Sequence, residues 1–276
     1  MTAPAGGPPP ALFDRARMLA RGEIEVVPTR DAATVALLRD APGGPEVYLL
    51  RRVRAMAFAG GMHVFPGGSV DPADEHAALA WSGPPPEDFA RAFAVDVPLA
   101  RALVCAAVRE TFEESGVLLA GPSPDEVLAD VSTDEWEAER ASLEAREQTL
   151  PELLARRRLV LRADLLRPLA HWITPEVEPK RFDTRFFVAR VPEGQVCREA
   201  GSEADHRVWL RPQEALDRRL GMLPPTAVVL EDLAGAPDVA AALATSRTIE
   251  PVLPKLVVGT DDEVAFLLPG DAGYPV

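Results

Sequence analysis

Residues 104–119 of this 276-residue chain read VCAAVRETFEESGVLL and hold three glutamates within five positions. On an α-helix, Glu110, Glu113 and Glu114 fall within an arc of roughly 100°. Carboxylates this close raise one another's pKa and repel one another. A divalent cation such as Mg²⁺ removes that conflict, because it prefers carboxylate oxygens and phosphates as ligands. The stretch therefore predicts a helix over residues 99–115 with a metal-binding side.

The remaining residues of this helix divide into two further groups. Val104, Val108 and Phe112 lie opposite the glutamates and are expected to anchor the helix in the core. Ala106 and Ala107 lie on the glutamate side one turn earlier, which predicts an open surface with room for a ligand. The alternative is an ordinary solvated acidic face, and the helix alone leaves that alternative open.

Two residues near the end of the helix support the binding interpretation. Arg109 lies about 40° from Glu113 around the helix axis and is expected to hold one carboxylate in place. Gly116 is expected to end the helix as a C-cap glycine.

A glycine pair precedes the helix in residues 65–74, FPGGSVDPAD. Together with RETFEESGV at 109–117, this segment resembles the Nudix hydrolase signature G-x5-E-x7-R-E-U-x-E-E-x-G-U, where U is a bulky aliphatic residue. Gly68 matches the first glycine, and Asp74 stands where the early glutamate belongs. The positions that match around the helix are Arg109, Glu110, Glu113, Glu114, Gly116 and Val117, with Thr111 at the first U position.

The spacing departs from that signature. Asp74 and Arg109 are separated by 34 residues, where the signature has seven, and residues 75–98 are therefore interpreted as an insertion within the motif. This leaves the role of Asp74 open. The interrupted motif resembles the Nudix branch of peroxisomal coenzyme A diphosphatases and their bacterial relatives, from about residue 30 to about residue 230.

The resemblance implies an α/β fold, a Nudix-type α/β/α sandwich with a mixed sheet, helical insertions and a C-terminal helical extension. Residues 1–22 are expected to form a flexible segment and residues 23–222 the Nudix domain, with insertions at 75–98 and 123–159. Residues 223–276 are expected to form a C-terminal helix and tail packed on the same domain.

Patterning along the chain predicts the individual elements. Two strands with a hairpin turn are expected at 33–40 and 46–52, and a helical pair divided at Pro151 is expected within 123–159. One helical turn is expected in the insertion. The other predicted elements are strands at 63–65, at 182–191, at 205–212 and in the tail, a strand beginning at 117–119, and helices at 212–220 and 224–245.

The resemblance also implies the chemistry. Nudix hydrolases use Mg²⁺ or Mn²⁺ to cleave a diphosphate by water attack. The expected metal ligands are Glu110, Glu113, Glu114 and a backbone carbonyl at Gly68. Glu113, Glu114 and Arg109 are the expected catalytic residues, with Glu113 as the candidate base.

The substrate is expected to be coenzyme A or an acyl-CoA, with ADP-ribose, a dinucleotide or a nucleotide sugar as alternatives. A catalytically silent Nudix module is a third possibility. Arg52 and Arg181 are candidate phosphate contacts because they lie at strand ends or in loops. Phe65, Phe58 and Trp172 are candidates for an apolar pocket wall, with a role in the core as the alternative for each. His63 and His171 are interpreted as structural.

Composition limits the other partners. With 29 Lys and Arg against 43 Asp and Glu, the chain has a net charge of −14, which argues against a nucleic-acid partner. Two cysteines, Cys105 and Cys197, are too few for a disulfide framework. Nothing resembles a signal peptide or a membrane span, so a cytoplasmic protein is expected. The family resemblance allows a homodimer.

Overall fold

The computed structural model describes residues 10–55, 59–75, 79–198 and 204–275. The strands are β1 (Thr29–Ala41), β2 (Gly44–Arg52), β3 (His63–Val64), β4 (Gly67–Ser69), β5 (Trp81–Ser82), β6 (Ala120–Gly121), β7 (Val160–Arg162), β8 (Leu166–Ile173), β9 (Arg181–Arg190), β10 (Ala204–Leu210), β11 (Pro251–Val252), β12 (Lys255–Val258) and β13 (Val264–Leu267). The helices are α1 (Pro10–Ala20), α2 (Pro72–Glu75), α3 (Pro86–Phe93), α4 (Val97–Ser115), α5 (Asp134–Glu144), α6 (Leu150–Arg157), α7 (Pro212–Asp217), α8 (Pro224–Ala234) and α9 (Val239–Ala244).

A mixed sheet forms the centre of the molecule, with strand order β10-β2-β1-β9-β8-β11. β1 is antiparallel to β2 and parallel to β9, and the short strands β3 and β4 pair with β2 and β1. The predicted mixed sheet is therefore confirmed, and so are the predicted strands that correspond to β1, β2, β9 and β10.

Strand β1 shows why helices cover both faces of this sheet. Ala33, Val35 and Leu37 belong to a buried cluster with residues of α3, α4, α5 and α6. Ala36 and Leu38 belong to a second buried cluster with residues of α7, α8 and α9. Successive side chains of a strand point to opposite faces of the sheet. A strand whose odd and even positions are both apolar is therefore buried on both faces. The result is the predicted α/β/α sandwich.

Helix α4 lies close to its predicted bounds. The side chain of Asp96 caps its start by accepting a hydrogen bond from the Leu99 amide at 2.8 Å. Gly116, at φ 73°, ends the helix in the left-handed conformation that glycine adopts without cost. Ala106 and Ala107 are fully buried, which corrects the expectation of an open small-residue side. The reason is that β1 and β4 pack against α4.

One of the two insertions, residues 75–98, is more ordered than the sequence indicated. It contains β5 and the eight-residue helix α3, where a single helical turn was expected, and β5 joins β7 and β6 in a second small sheet. The strand expected to begin at 117–119 is β6, at Ala120–Gly121.

The helical pair also differs from its predicted division. The break lies between α5 and α6, and Pro151 falls in the first turn of α6, where its missing N–H is tolerated. Thr149 begins α6 with a capping box that includes Glu152, so the sequence signal for this boundary was the Thr-x-x-Glu pattern.

The C-terminal part packs on the α7–α9 face. The helix expected over 224–245 is interrupted between α8 and α9, and β12 and β13 form a hairpin. In the described ranges, no helix combines the length and apolar composition needed to cross a bilayer.

Candidate active site

Arg109 connects the carboxylates near the end of α4. Its Nη1 donates to Oε1 of Glu110 at 2.8 Å and to Oε1 of Glu113 at 3.3 Å. Its Nη2 donates to Oδ2 of Asp74 at 3.2 Å and to the backbone oxygen of Ser69 at 2.9 Å. The Arg109 side chain is only 13% exposed, so these contacts lie largely out of water. One guanidinium therefore orients three acidic side chains.

Asp74 reaches this cluster although the insertion separates it from α4 in sequence. Its side chain is 1% exposed, and its Oδ2 also accepts the Asp71 amide at 2.9 Å. Helix α2, which carries Asp74, packs against α4. The structure thus places Asp74 as an ion-pair partner of Arg109.

The glycine pair of β4 lies between β1 and α4. The Gly67 amide donates to Oε2 of Glu114 at 2.8 Å. A Cβ atom at Gly68 would lie 2.7 Å from Oε2 of Glu110 and still closer to the other two atoms of that carboxyl group. A side chain at Gly67 would meet the backbone of Ala33 and Thr34. Only glycine lets this backbone approach the glutamates so closely.

Burial dominates the electrostatics of the cluster. Burial raises the pKa of Glu110 to about 7, with Arg109 opposing the shift and Glu113 adding to it. Burial likewise raises the pKa of Glu113, again opposed by Arg109. The pKa of Arg109 is raised, because its three carboxylate partners outweigh the opposite effect of burial. One arginine does not balance the four nearby acidic groups, so an additional cation would stabilise their charged forms.

The side chains of this cluster fit a hard divalent cation, since such ions prefer carboxylate oxygens as ligands. In the ranges that the structure describes, no group of three His, Cys, Asp or Glu side chains already converges as a metal site. The contacts above engage one oxygen each of Glu110, Glu113 and Glu114. A carboxylate has two oxygens, so these hydrogen bonds are compatible with coordination through the same groups.

A cavity of about 1770 Å³ opens beside these carboxylates. Two predicted binding residues, Arg52 and Phe65, line it, as does Trp172. Phe65 and Trp172 are also buried in the cluster under α8, so each serves both the core and the cavity wall. Phe58, the third predicted wall residue, lies outside the described residues.

The structure does not place Arg181 in the cavity. Its side chain is buried, and its guanidinium donates to the backbone oxygens of Thr174 at 3.1 Å and Val27 at 2.8 Å. These bonds join the start of β9 to the segment before β1. The predicted substrate contact at Arg181 is therefore replaced by a structural role.

The two histidines have structural partners, as expected. Nδ1 of His63 lies 3.2 Å from the Gly221 oxygen, and burial lowers the pKa of His63. Nε2 of His171 lies 2.5 Å from Oδ1 of Asp183. Neither histidine lines the cavity.

Three further arginines line the cavity and were not predicted from the sequence, namely Arg30, Arg146 and Arg219. Arg146 and Arg219 follow α5 and α7, in connections between helices. Nothing in the local sequence separates these arginines from the many others in the chain, so only the tertiary structure reveals them.

A family model described as the NUDT19 Nudix domain matches residues 84–225, just over half of the chain. The chain belongs to the Nudix hydrolase family. Nudix hydrolases cleave diphosphate linkages and generally use divalent metal ions, so this protein is a diphosphatase.

Relatives and solved structures agree with this membership. The chain is 29% identical to the acyl-coenzyme A diphosphatase NUDT19 of Gallus gallus, with 89% of this chain and 80% of that protein covered. It is 28% identical to the human protein of the same name, with 84% and 72% covered. The crystal structure of a Nudix hydrolase from Alicyclobacillus acidocaldarius superposes with a TM-score of 0.67 at 29% identity, covering 80% of this chain and 98% of that one.

Proposed function

We propose that this Nudix hydrolase cleaves the diphosphate linkage of coenzyme A or an acyl-CoA by water attack. The products are 3′,5′-ADP and a phosphopantetheine or its acyl ester. The observation that carries the proposal is the joining of the Arg109-bound carboxylate cluster to a cavity of about 1770 Å³. Ligand pockets commonly measure about 300–1,000 Å³, and coenzyme A is a large ligand with an extended arm. The acyl-coenzyme A diphosphatase relatives support the same substrate class.

The residues that would hold Mg²⁺ or Mn²⁺ are Glu110, Glu113 and Glu114, together with a backbone carbonyl at Gly68. A cation bound there neutralises diphosphate charge and lowers the pKa of an attacking water. The raised pKa of Glu110 agrees with this assignment, since a buried carboxylate with too few cationic partners favours a positive ligand.

The protein's own residues orient this chemistry. Arg109 holds Glu110 and Glu113 in fixed positions, and the Gly67 amide holds Glu114. Such positioning provides most of the catalysis in phosphoryl transfer. Glu113 accepts a proton from the attacking water in this proposal. Arg52 contacts a substrate phosphate, and Phe65 and Trp172 contact an apolar part of the substrate.

The alternative substrates share the diphosphate and differ in the group attached to it, as in ADP-ribose, a dinucleotide or a nucleotide sugar. A catalytically silent module is disfavoured because all three glutamates are present and each accepts a hydrogen bond, from Arg109 or from the Gly67 amide.

The test is a substrate panel of coenzyme A, acetyl-CoA, ADP-ribose and NADH. Each is incubated with purified protein and Mg²⁺ or Mn²⁺, and products are identified by mass spectrometry, with chelated samples as the control. We expect 3′,5′-ADP from the two CoA substrates. Rapid cleavage of ADP-ribose with coenzyme A untouched would overturn the substrate assignment but keep the diphosphatase.

A further inference from the structure

Three arginines adopt the left-handed backbone conformation just after the end of a helix. They are Arg146 after α5 at φ 58°, Arg158 after α6 at φ 55° and Arg219 after α7 at φ 50°. This conformation is unfavourable for residues with a Cβ atom, and glycine or asparagine usually occupies it. Residues held in this conformation often lie at binding or catalytic sites.

Two of the three arginines line the cavity, namely Arg146 and Arg219, and Arg158 does not. All three are exposed. Within the described part of the chain, none of the three guanidinium groups has a hydrogen-bond or ion-pair partner. Their neighbours do: Arg140 binds Glu137 and Glu144, and Arg218 binds Glu214. In a chain of net charge −14, two such exposed cations on one cavity wall are available to bind an anionic ligand.

The backbone around Arg146 is fixed on the carboxylate side of the cavity. The Arg146 amide donates to the Leu143 oxygen at 2.8 Å, and Glu147 donates to the Ser142 oxygen at 2.9 Å. Arg140, on the preceding helix, donates to the backbone oxygen of Glu113 at 2.9 Å. Helix α5, which the Arg146 turn follows, is thus attached to α4, the helix that carries the proposed metal ligands.

Arg219 lies on the other side of the central sheet, after α7. Its amide donates to the Leu216 oxygen at 3.0 Å, and two residues later the Gly221 oxygen accepts the His63 amide at 2.7 Å. The cavity wall in this connection is apolar and contains Leu216, Leu220 and Met222. An apolar wall suits a nucleobase, so the nucleoside end of the substrate belongs on this side. Glu231 of α8 also lines the cavity but forms no ion pair with Arg219.

We propose that Arg146 and Arg219 determine substrate specificity by binding different phosphates, Arg146 the scissile diphosphate and Arg219 the 3′-phosphate on the departing nucleotide. This inference rests on the proposed function. A guanidinium presents paired donors that match phosphate oxygens, and a charge-assisted hydrogen bond of this kind is stronger than a neutral one. The two residues would thereby distinguish a 3′-phosphorylated substrate from other nucleoside diphosphates.

Arg→Gly substitutions test this inference with little risk to folding, because glycine is favoured at these positive φ angles. The variants are R146G, R219G and the matched control R158G. Coenzyme A and 3′-dephospho-CoA are compared as substrates of the full chain with Mg²⁺. We expect R219G to raise KM about tenfold or more for coenzyme A and to leave 3′-dephospho-CoA unchanged. We expect R146G to raise KM for both substrates and R158G for neither.

Product binding gives a second readout that does not depend on turnover. Calorimetry should show that the wild-type protein prefers 3′,5′-ADP over 5′-AMP, and that R219G loses this preference. The inference would be overturned if R219G affected the two substrates equally, or if neither R146G nor R219G had an effect. Cleavage of coenzyme A by the wild-type protein would still support the proposed function in that case. If the wild-type protein cleaves neither CoA substrate, the proposed function itself fails.

Discussion

Oδ2 of Asp74 lies 3.2 Å from Nη2 of Arg109, although the two residues are 35 positions apart in the chain. Both side chains are buried or nearly so, at 1% and 13% exposure. Their ion pair joins the segment before the inserted residues to the helix after them. The inserted residues therefore lengthen the motif in sequence without separating its ends in space.

Asp74→Asn should destabilise the protein. The buried guanidinium would lose a charged acceptor, and the new amide would turn donors toward it, which costs about 1–3 kcal/mol of unfolding free energy. Urea denaturation measures the change. Asp88→Asn is the control, because Asp88 pairs with Arg91 at 2.7 Å on the surface and such pairs contribute less than about 1 kcal/mol. Equal losses in the two variants would contradict a special role for Asp74.

Glu114→Gln should abolish metal-dependent hydrolysis, and Glu110→Gln should weaken it severely. Each change removes the negative charge of a proposed metal ligand while keeping the size of the side chain, so a loss of about a hundredfold or more in kcat/KM is expected. Steady-state rates over a Mg²⁺ titration measure the effect. Glu87→Gln on α3, an exposed position, is the control and should act like the wild type. Wild-type turnover in both active-site variants would refute the metal assignment.

Gly68→Ala should reduce activity strongly, because the new Cβ would displace the carboxylate of Glu110. We expect at least a tenfold loss in kcat/KM, since small displacements in a catalytic site are costly. Gly235→Ala is the matched control, because nothing lies within 4 Å of a Cβ built at Gly235 and its φ is −81°. The control should keep full activity, and similar losses in the two variants would exclude this steric explanation.

Glu139 should make stability depend on pH. Hydrogen bonds from Arg156 above all, and from Gln148 and Arg157, lower the pKa of Glu139 to about 2 against the effect of burial. A carboxyl group with a lowered folded-state pKa stabilises the protein above its unfolded pKa of about 4.5, and this stabilisation is lost as the pH falls toward 2.

Glu139→Gln should therefore lower the unfolding free energy by an amount on the order of 2 kcal/mol at pH 7. The difference from the wild type should stay constant above about pH 5.5 and shrink by about 1.4 kcal/mol per pH unit below pH 4.5. Denaturation curves from pH 7 to pH 3.5 measure it. Glu135→Gln, at a side chain that is 70% exposed, is the control. A difference that grows at low pH would contradict a lowered pKa of Glu139 in the folded protein.

Local pattern was sufficient for much of the fold and for part of the site. The helical period placed Glu110, Glu113 and Glu114 on one side of α4, and Gly116 marked its end. Apolar runs between turn residues identified the main strands of the sheet. The division between α5 and α6 was missed because Pro151 was interpreted as a break, when it belongs to the first turn of α6.

The sequence by itself determined the acidic helix, the glycine pair and the Nudix membership, because these depend on residue type and short spacing. Only the tertiary structure decided that Asp74 binds Arg109, that Arg181 is buried and that Arg146 and Arg219 share a cavity. The physical reason is that the environment of a long charged side chain is set by residues far away in the chain. Tertiary packing therefore determines which arginines are paired, which are buried and which are available to bind a substrate.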